Sequence, residues 1–361
     1  MEIVEFQPRS SGSGKRRAGE REDGLTTAAD ATIHPIGAQA VVHALVAATT
    51  AAGYAPSIHS TQPWRWRLVG DTLDLHLDRA SVDELTDPDG RLATLSCGAA
   101  LHHARVSLAA QGWRTTVTRL PDHGDPRKAP SAGPGSARPV DPDLLARLRI
   151  ADRSTVEGSG SPHLRTIPLR YTDREPVTGV LVGPEQLAAI TAAVRAEDTW
   201  LHVLYPDEVL ELATVAERAQ RTGSDESGWW SELSYWTGYG HAAAVRPAGR
   251  DPGLPGELPT SAANDKGATF ALLHGPTDEP EDWLRAGEAL SAGWLTATEL
   301  SVSVLPLSAP IEVAETRQAI QIMIGSVGYP YLLLRLGTVD PAAPGLQRTP
   351  RLPVDQVIER S

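Results

Sequence analysis

Two short runs of small residues set the frame for the whole chain. Gly98-Ala99-Ala100-Leu101 and Gly287-Glu288-Ala289-Leu290 share three of four residues at a separation of 189 positions (287 − 98). Each run lies in a segment that reads as a buried helix, Cys97 to Gly112 and Ala286 to Leu300, small enough on one face to let another helix approach closely. Such a repeat points to internal duplication, so 361 residues are expected to hold two half-sized copies in one polypeptide.

Local patterns fill in the halves. Ala38 to Ala52 places Val41, Leu45 and Ala48 at helical spacing, and Gly53 follows where a C-terminal cap belongs. Trp64 to Val69 and Thr72 to Leu77 alternate apolar and polar side chains around Gly70-Asp71, which predicts a tight hairpin. Pro184 to Arg195 and Asp207 to Arg221 read as helices; Trp200 to Tyr205, Thr269 to His274 and Tyr331 to Leu336 read as strands. Residues 1–30 hold no apolar run of signal-peptide length and read as a disordered leader. The breakers between 121 and 140 read as a linker. The first half is therefore placed at 31–140 and the second at 141–361.

Charge and cysteine content narrow the function classes. A net charge of −12 disfavours general binding to nucleic acid or an anionic membrane, both of which need clustered cations. Cys97 is the single cysteine, which removes intrachain disulfides and cysteine-based metal clusters and favours a reducing, cytoplasmic setting. His102-His103 looks like a metal pair, but neighbouring positions on a helix diverge by about 100°, so no metal site is expected.

The richest string is Ala55-Pro56-Ser57-Ile58-His59-Ser60-Thr61-Gln62-Pro63-Trp64-Arg65-Trp66, where prolines, hydroxyls and an amide run directly into a strand. It resembles the proline-serine-x-x-asparagine-x-glutamine-proline-tryptophan loop of FMN-dependent nitroreductases, and more closely the version in the Acg-like FMN-binding family. The resemblance implies an α+β, nitroreductase-like fold: two fused halves, each a mixed, mainly antiparallel sheet with flanking helices, forming an intrachain pseudodimer. In that superfamily the loop reaches across the subunit interface to the flavin, which assigns Pro56, Ser57, Ile58, His59, Ser60 and Gln62 to cofactor binding. Ser60 stands where the family has asparagine, so one amide contact is replaced by a shorter hydroxyl. His59 could face the ring as a proton donor or turn away and cap the loop.

An FMN phosphate calls for fixed cations, and arginine's forked guanidinium suits it best. Arg170-Tyr171-Thr172-Asp173-Arg174 resembles the family's opening motif and implies phosphate contacts from Arg170, Thr172 and Arg174. Gly328-Tyr329, the hydrophobic strand after it and Thr349-Pro350-Arg351-Leu352-Pro353 resemble the family's closing order, implying Arg351, with Arg348 as an alternative or additional contact. By position, Ser308 and Ala309 resemble the segment passing the reactive ring edge. Trp229, Trp230 and Trp236, within the broken stretch 223–266, are candidate lid or substrate-stacking residues; a local aromatic cluster is the equal alternative.

The leading expectation is an FMN-dependent oxidoreductase with one FMN per chain, passing hydride from a reductant such as NAD(P)H to a small electron-poor or unsaturated acceptor. The cofactor carries the chemistry, so no catalytic side chain is demanded. The alternative is a flavin-binding or storage protein with little turnover; a cofactor-free relic would leave the arginines idle. The chain is expected as a monomer or weak homodimer.

Overall fold

The computed structural model describes residues 37–84, 86–121, 141–153, 163–173, 177, 180–212, 267–338 and 350–360. The expected leader, most of the linker, the 223–266 lid with Trp229, Trp230 and Trp236, and both Arg174 and Arg348 lie outside them.

The predicted hairpin forms as written in the alternation. β1 (Trp64–Val69) pairs antiparallel with β2 (Thr72–Leu77), Trp64 opposite Leu77 and Val69 opposite Thr72. Gly70 sits at the turn with φ +59, a conformation that costs glycine little. β3 (Trp113–Arg119) and β4 (Leu144–Arg153) pair with each other, and β4 also pairs with β2. The breaker-rich stretch therefore joins two strands of one sheet, and the first half extends past residue 140 to include β4.

Beyond it the order begins again. β5 (Trp200–Val203), β6 (Thr269–Gly275), β7 (Val302–Leu307) and β8 (Tyr329–Thr338) form a second sheet ordered β7-β8-β6-β5, all antiparallel. The first sheet runs β3-β4-β2-β1, the same order, and then adds β9 (Ile358–Arg360) parallel to β1. The end of the chain thus returns to the first half's sheet. The fold is α+β with two topologically matching sheets.

Helices α1 (Ala38–Ala52), α2 (Arg91–Ala110), the short α3 (His163–Thr166), α4 (Pro184–Arg195) and α5 (Pro280–Glu299) pack between and against the sheets, while α6 (Ala309–Glu312) and α7 (Ala314–Met323) cover the second sheet's far face. That sheet is buried on both sides: Ala271 and Leu273 of β6 face the α4–α5 core, and Phe270 and Leu272 face α7. Both central helices begin six residues before their predicted starts, at Arg91 and Pro280. The reason is polar. Gly90 turns at φ +67 and the Asp87 carboxylate accepts the Leu92 and Ala93 backbone N–H groups at 3.2 and 2.9 Å, while α5 opens on proline followed by Glu281 and Asp282.

α2 and α5 meet at the repeated glycines. A methyl group on Gly98 would stand 2.0 Å from the Leu284 carbonyl oxygen, and one on Gly287 would stand 1.8 Å from that of Leu95. The contact is reciprocal, and so is the exchange around it: Leu284 is buried in the first half's core, Leu95 in the second's. One turn on, His102 Nδ1 meets Ser291 Oγ at 2.8 Å, again 189 positions apart.

Gly287→Ala should cost at least ~3 kcal/mol, because backbone rather than a yielding side chain opposes the added carbon; the urea midpoint of the variant measures it. A second expectation concerns acid. Burial, and then the charge of Arg105, push His102 down to about 3. The unfolded chain takes up this proton near ~6.5, so its neutral form is the one the fold holds, and stability falls as pH drops through that window by up to ~1.4 kcal/mol per unit. His102→Gln should flatten the pH dependence of the urea midpoint between those limits.

Candidate functional site

The residues from Tyr54 to Pro63 make a rigid platform over the N-terminal part of α2. Ser57 is extended and its Oγ accepts the Gln62 N–H at 3.1 Å; between them Ile58–Ser60 forms one 3-10 turn. The Ile58 N–H donates to Ser96 Oγ of α2 at 3.0 Å, and Cys97 Sγ donates to the Pro63 carbonyl at 3.2 Å. His59, Ser60 and Gln62 all have positive φ, at 46, 62 and 51. Three non-glycine residues in the left-handed region within four positions store conformational energy of order 1 kcal/mol or more each. Pro56 is half-buried, and the Ile58 side chain packs against the second half's core, so the loop bridges the halves.

Two arginines converge on the start of this platform. Arg170, in the segment after α3, donates from Nη2 to the Tyr54 carbonyl at 3.0 Å, and Arg351 reaches the same oxygen from its Nη2 at 3.5 Å. Beside Arg351, the Leu352 N–H donates to Gln62 Oε1 at 3.0 Å, which ties the tail to the loop. The Arg170 guanidinium is buried and lies 4.4 Å from the centre of the Trp294 ring of α5. Its Nε has no hydrogen-bond partner. Neither arginine pairs with a carboxylate among the described residues. Burial, and then the Arg351 charge, push Arg170 down to about 9; burial likewise lowers Arg351. Two like charges held in a largely dry place without a counter-ion form a site whose electrostatics favour an anion.

His103 completes the floor. Its Nδ1 donates to the Ala51 carbonyl at 3.2 Å, which leaves Nε2 as a buried acceptor with no partner. Burial and then the Arg170 charge hold its proton affinity well below that of free histidine, so the ring is neutral.

The opposite end of the platform meets α6. His59 Nε2 lies 3.6 Å from Oε1 of Glu312, and the Glu312 N–H closes the helical turn onto the Ser308 carbonyl at 3.1 Å. Ser308 is half-buried at the junction of β7 and α6, with Ala309 next in the backbone. His59 therefore spans from the loop to the other half. Thr172 is half-buried on the irregular segment after Arg170.

The structure thus gathers the 56–62 loop, Arg170 and Arg351 at one end and brings the loop beside the Ser308–Glu312 turn at the other. Tyr54, Trp294, His103 and Glu312 escaped sequence reasoning. Tyr54 takes part through its carbonyl, which any residue would supply, and Trp294 and Glu312 become neighbours only through tertiary packing. His103 carried a signal, the paired histidines, but one that pointed to metals. Among the described residues no group of three metal-ligating side chains converges.

No protein-family model matches the chain. It is 36% identical over 327 residues to "Putative NAD(P)H nitroreductase Rv3131" of Mycobacterium tuberculosis, covering 86% of this chain and 89% of that protein. It is 30% identical over 318 residues to "Putative NAD(P)H nitroreductase acg" of the same organism, covering 84% and 91%. Among solved structures, a nitroreductase with bound FMN from Bacteroides fragilis aligns at 15% identity and a TM-score of 0.36, over 52% of this chain and 94% of that one. On the extent and identity of the match to the mycobacterial proteins, the chain belongs to the nitroreductase superfamily and, within it, to the Acg-like family.

Proposed function

We propose that the chain is an FMN-dependent oxidoreductase that uses NAD(P)H to reduce a small electron-poor or unsaturated acceptor, with one FMN bound between its halves. The observation that carries this reading is the meeting of Arg170 and Arg351 on the Tyr54 carbonyl with no carboxylate paired to either among the described residues. Both guanidiniums would pair with the cofactor's phosphate, and the dianion would relieve their mutual repulsion. The unpartnered Arg170 Nε and the neutral His103 Nε2 add a donor and an acceptor, which suits a ligand end carrying both charged oxygens and hydroxyl groups.

At the other end, the 56–62 loop would border the ring system, with its strained backbone fixed by Ser57, Ser96 and the Gln62–Leu352 bond. Ser308 and Ala309 would offer backbone groups to the ring edge. Glu312 would orient His59, which is more than half exposed and so open to solvent beside the loop. Thr172, and Arg174 and Arg348 beyond the described residues, are further phosphate candidates; Trp229, Trp230 and Trp236 are candidates for covering the site. Bound FMN supplies the hydride transfer itself. The protein's part is to hold the phosphate, fix the ring against a rigid loop and limit access of water.

The relatives' names, with NAD(P)H as donor, support the choice of reductant. The arrangement of loop and arginines in opposite halves supports a single cofactor: the loop comes from the first half, the arginines from the second.

The purified protein should be yellow with one FMN per chain, and anaerobic NADPH should bleach it, with colour returning on addition of a nitroaromatic or quinone. FMN retained but unresponsive to NADPH and NADH would exclude turnover and leave storage. Arg351→Ala and Arg170→Ala should each weaken FMN binding by ~1–3 kcal/mol, read by fluorescence titration of the apoprotein. Unchanged affinity would remove that arginine from the site.

A further inference from the structure

Reduction by hydride leaves a proton to be found. A nitro group that takes hydride needs one further proton before its N–O bond breaks and the oxygen leaves in water; a quinone needs one to become a hydroquinone. Acceptors of this class therefore call for an acid at the ring end of the site, where the 56–62 loop meets α6.

His59 is the middle residue of the 3-10 turn and has φ 46 and ψ 20. A residue other than glycine holds such a backbone at a cost of order 1 kcal/mol. The turn is locked in that shape: the Ser60 N–H donates to the Ser57 carbonyl at 3.1 Å, and the Ile58 carbonyl accepts the Thr61 N–H and the Thr61 hydroxyl, each at 3.0 Å. From there the ring leaves the loop and meets the other half, with Nε2 3.6 Å from Glu312 Oε1.

Glu312 is placed to hold a charged partner. Its side chain is 14% exposed, Oε1 is buried and accepts no hydrogen bond, and no arginine or lysine pairs with it among the described residues. Arg317 of α7 donates from Nη1 to the Ile311 carbonyl at 2.7 Å and so ties α7 to the turn that carries Glu312. A buried carboxylate oxygen without a donor is costly, and a protonated His59 ring satisfies it. The imidazole is 55% exposed, so water and a small ligand can reach it.

We infer that His59 is the catalytic acid of the reduction and that Glu312 is its positioning residue. An N–H bond of the imidazolium breaks as an O–H bond forms on the acceptor, the two electrons arriving as hydride from NAD(P)H, which leaves oxidised. The neutral ring then takes a proton from water. This rests on reading the chain as an NAD(P)H-dependent reductase with the 56–62 loop beside the flavin ring.

Two acceptors separate proton delivery from electron delivery: ferricyanide takes electrons alone, and nitrofurazone takes a proton as well. Bleaching of the FMN-loaded wild type by anaerobic NADPH, scored first, tests the reductase reading by itself, and its absence overturns both. In His59→Asn, which suits the left-handed backbone, reoxidation by nitrofurazone should slow by ~10²-fold, and by at least ~10-fold more than reoxidation by ferricyanide. Equal slowing with both acceptors would overturn the inference. A second readout needs no turnover. Benzoate, whose two oxygens stand in for a nitro group, should perturb the absorbance of the oxidised wild type and bind His59→Asn at least ~10-fold more weakly. Equal binding, or binding to neither protein, would also overturn it. If His59→Asn does not retain FMN, Glu312→Gln in the other half should show the same selective loss in both measurements, and its absence would be equally decisive.

Discussion

Everything in this fold depends on how closely two helix backbones approach. At Gly98 and Gly287 there is no room for even one carbon, and the two carbonyls that exclude it belong to leucines three residues earlier in the opposite helix. Helices packed this tightly trade leucines between their cores and bring the two sheets into a fixed relation. The candidate site inherits that precision, since its platform rests on α2, its stacked ring on α5, and its arginines on segments beyond either. A looser crossing would draw Arg170, stacked on Trp294 of α5, away from the Tyr54 carbonyl.

The same strand order occurs twice, but the chemistry differs between the two places. At one place two guanidiniums converge on one carbonyl with no carboxylate paired to either among the described residues; at the other, two carboxylates, Glu197 and Glu288, pair with two arginines, Arg105 and Arg119. Buried ion pairs gain little net stability against well-packed apolar residues, because desolvation offsets most of their attraction. What such a network does well is to fix alignment, and here each pair joins one half to the other.

How much could be read beforehand follows from where information resides. The hairpin was legible because its side chains alternate and Gly70 marks the turn. The middles of α2 and α5 were legible from small residues, but their starts were not, since the Asp87 side chain caps α2 from outside the periodic run. The division between halves misled for a similar reason: proline and glycine mark any irregular connection, and the stretch after β3 returns to the same sheet in β4. In the site, the loop and the arginines could be named because those side chains carry the chemistry themselves. The Tyr54 carbonyl could not, because a backbone oxygen leaves no trace in residue identity, and Trp294 and Glu312 are far away in sequence from what they touch.

Arg351 is delivered to the site by a tail whose final residues become the β9 strand beside β1. On the ribosome, Arg170 and the platform emerge long before that strand exists. The cationic pair can assemble only after Arg351 itself has been translated, so an anionic ligand held by both guanidiniums seals the folding of the strands made before it rather than serving as their template.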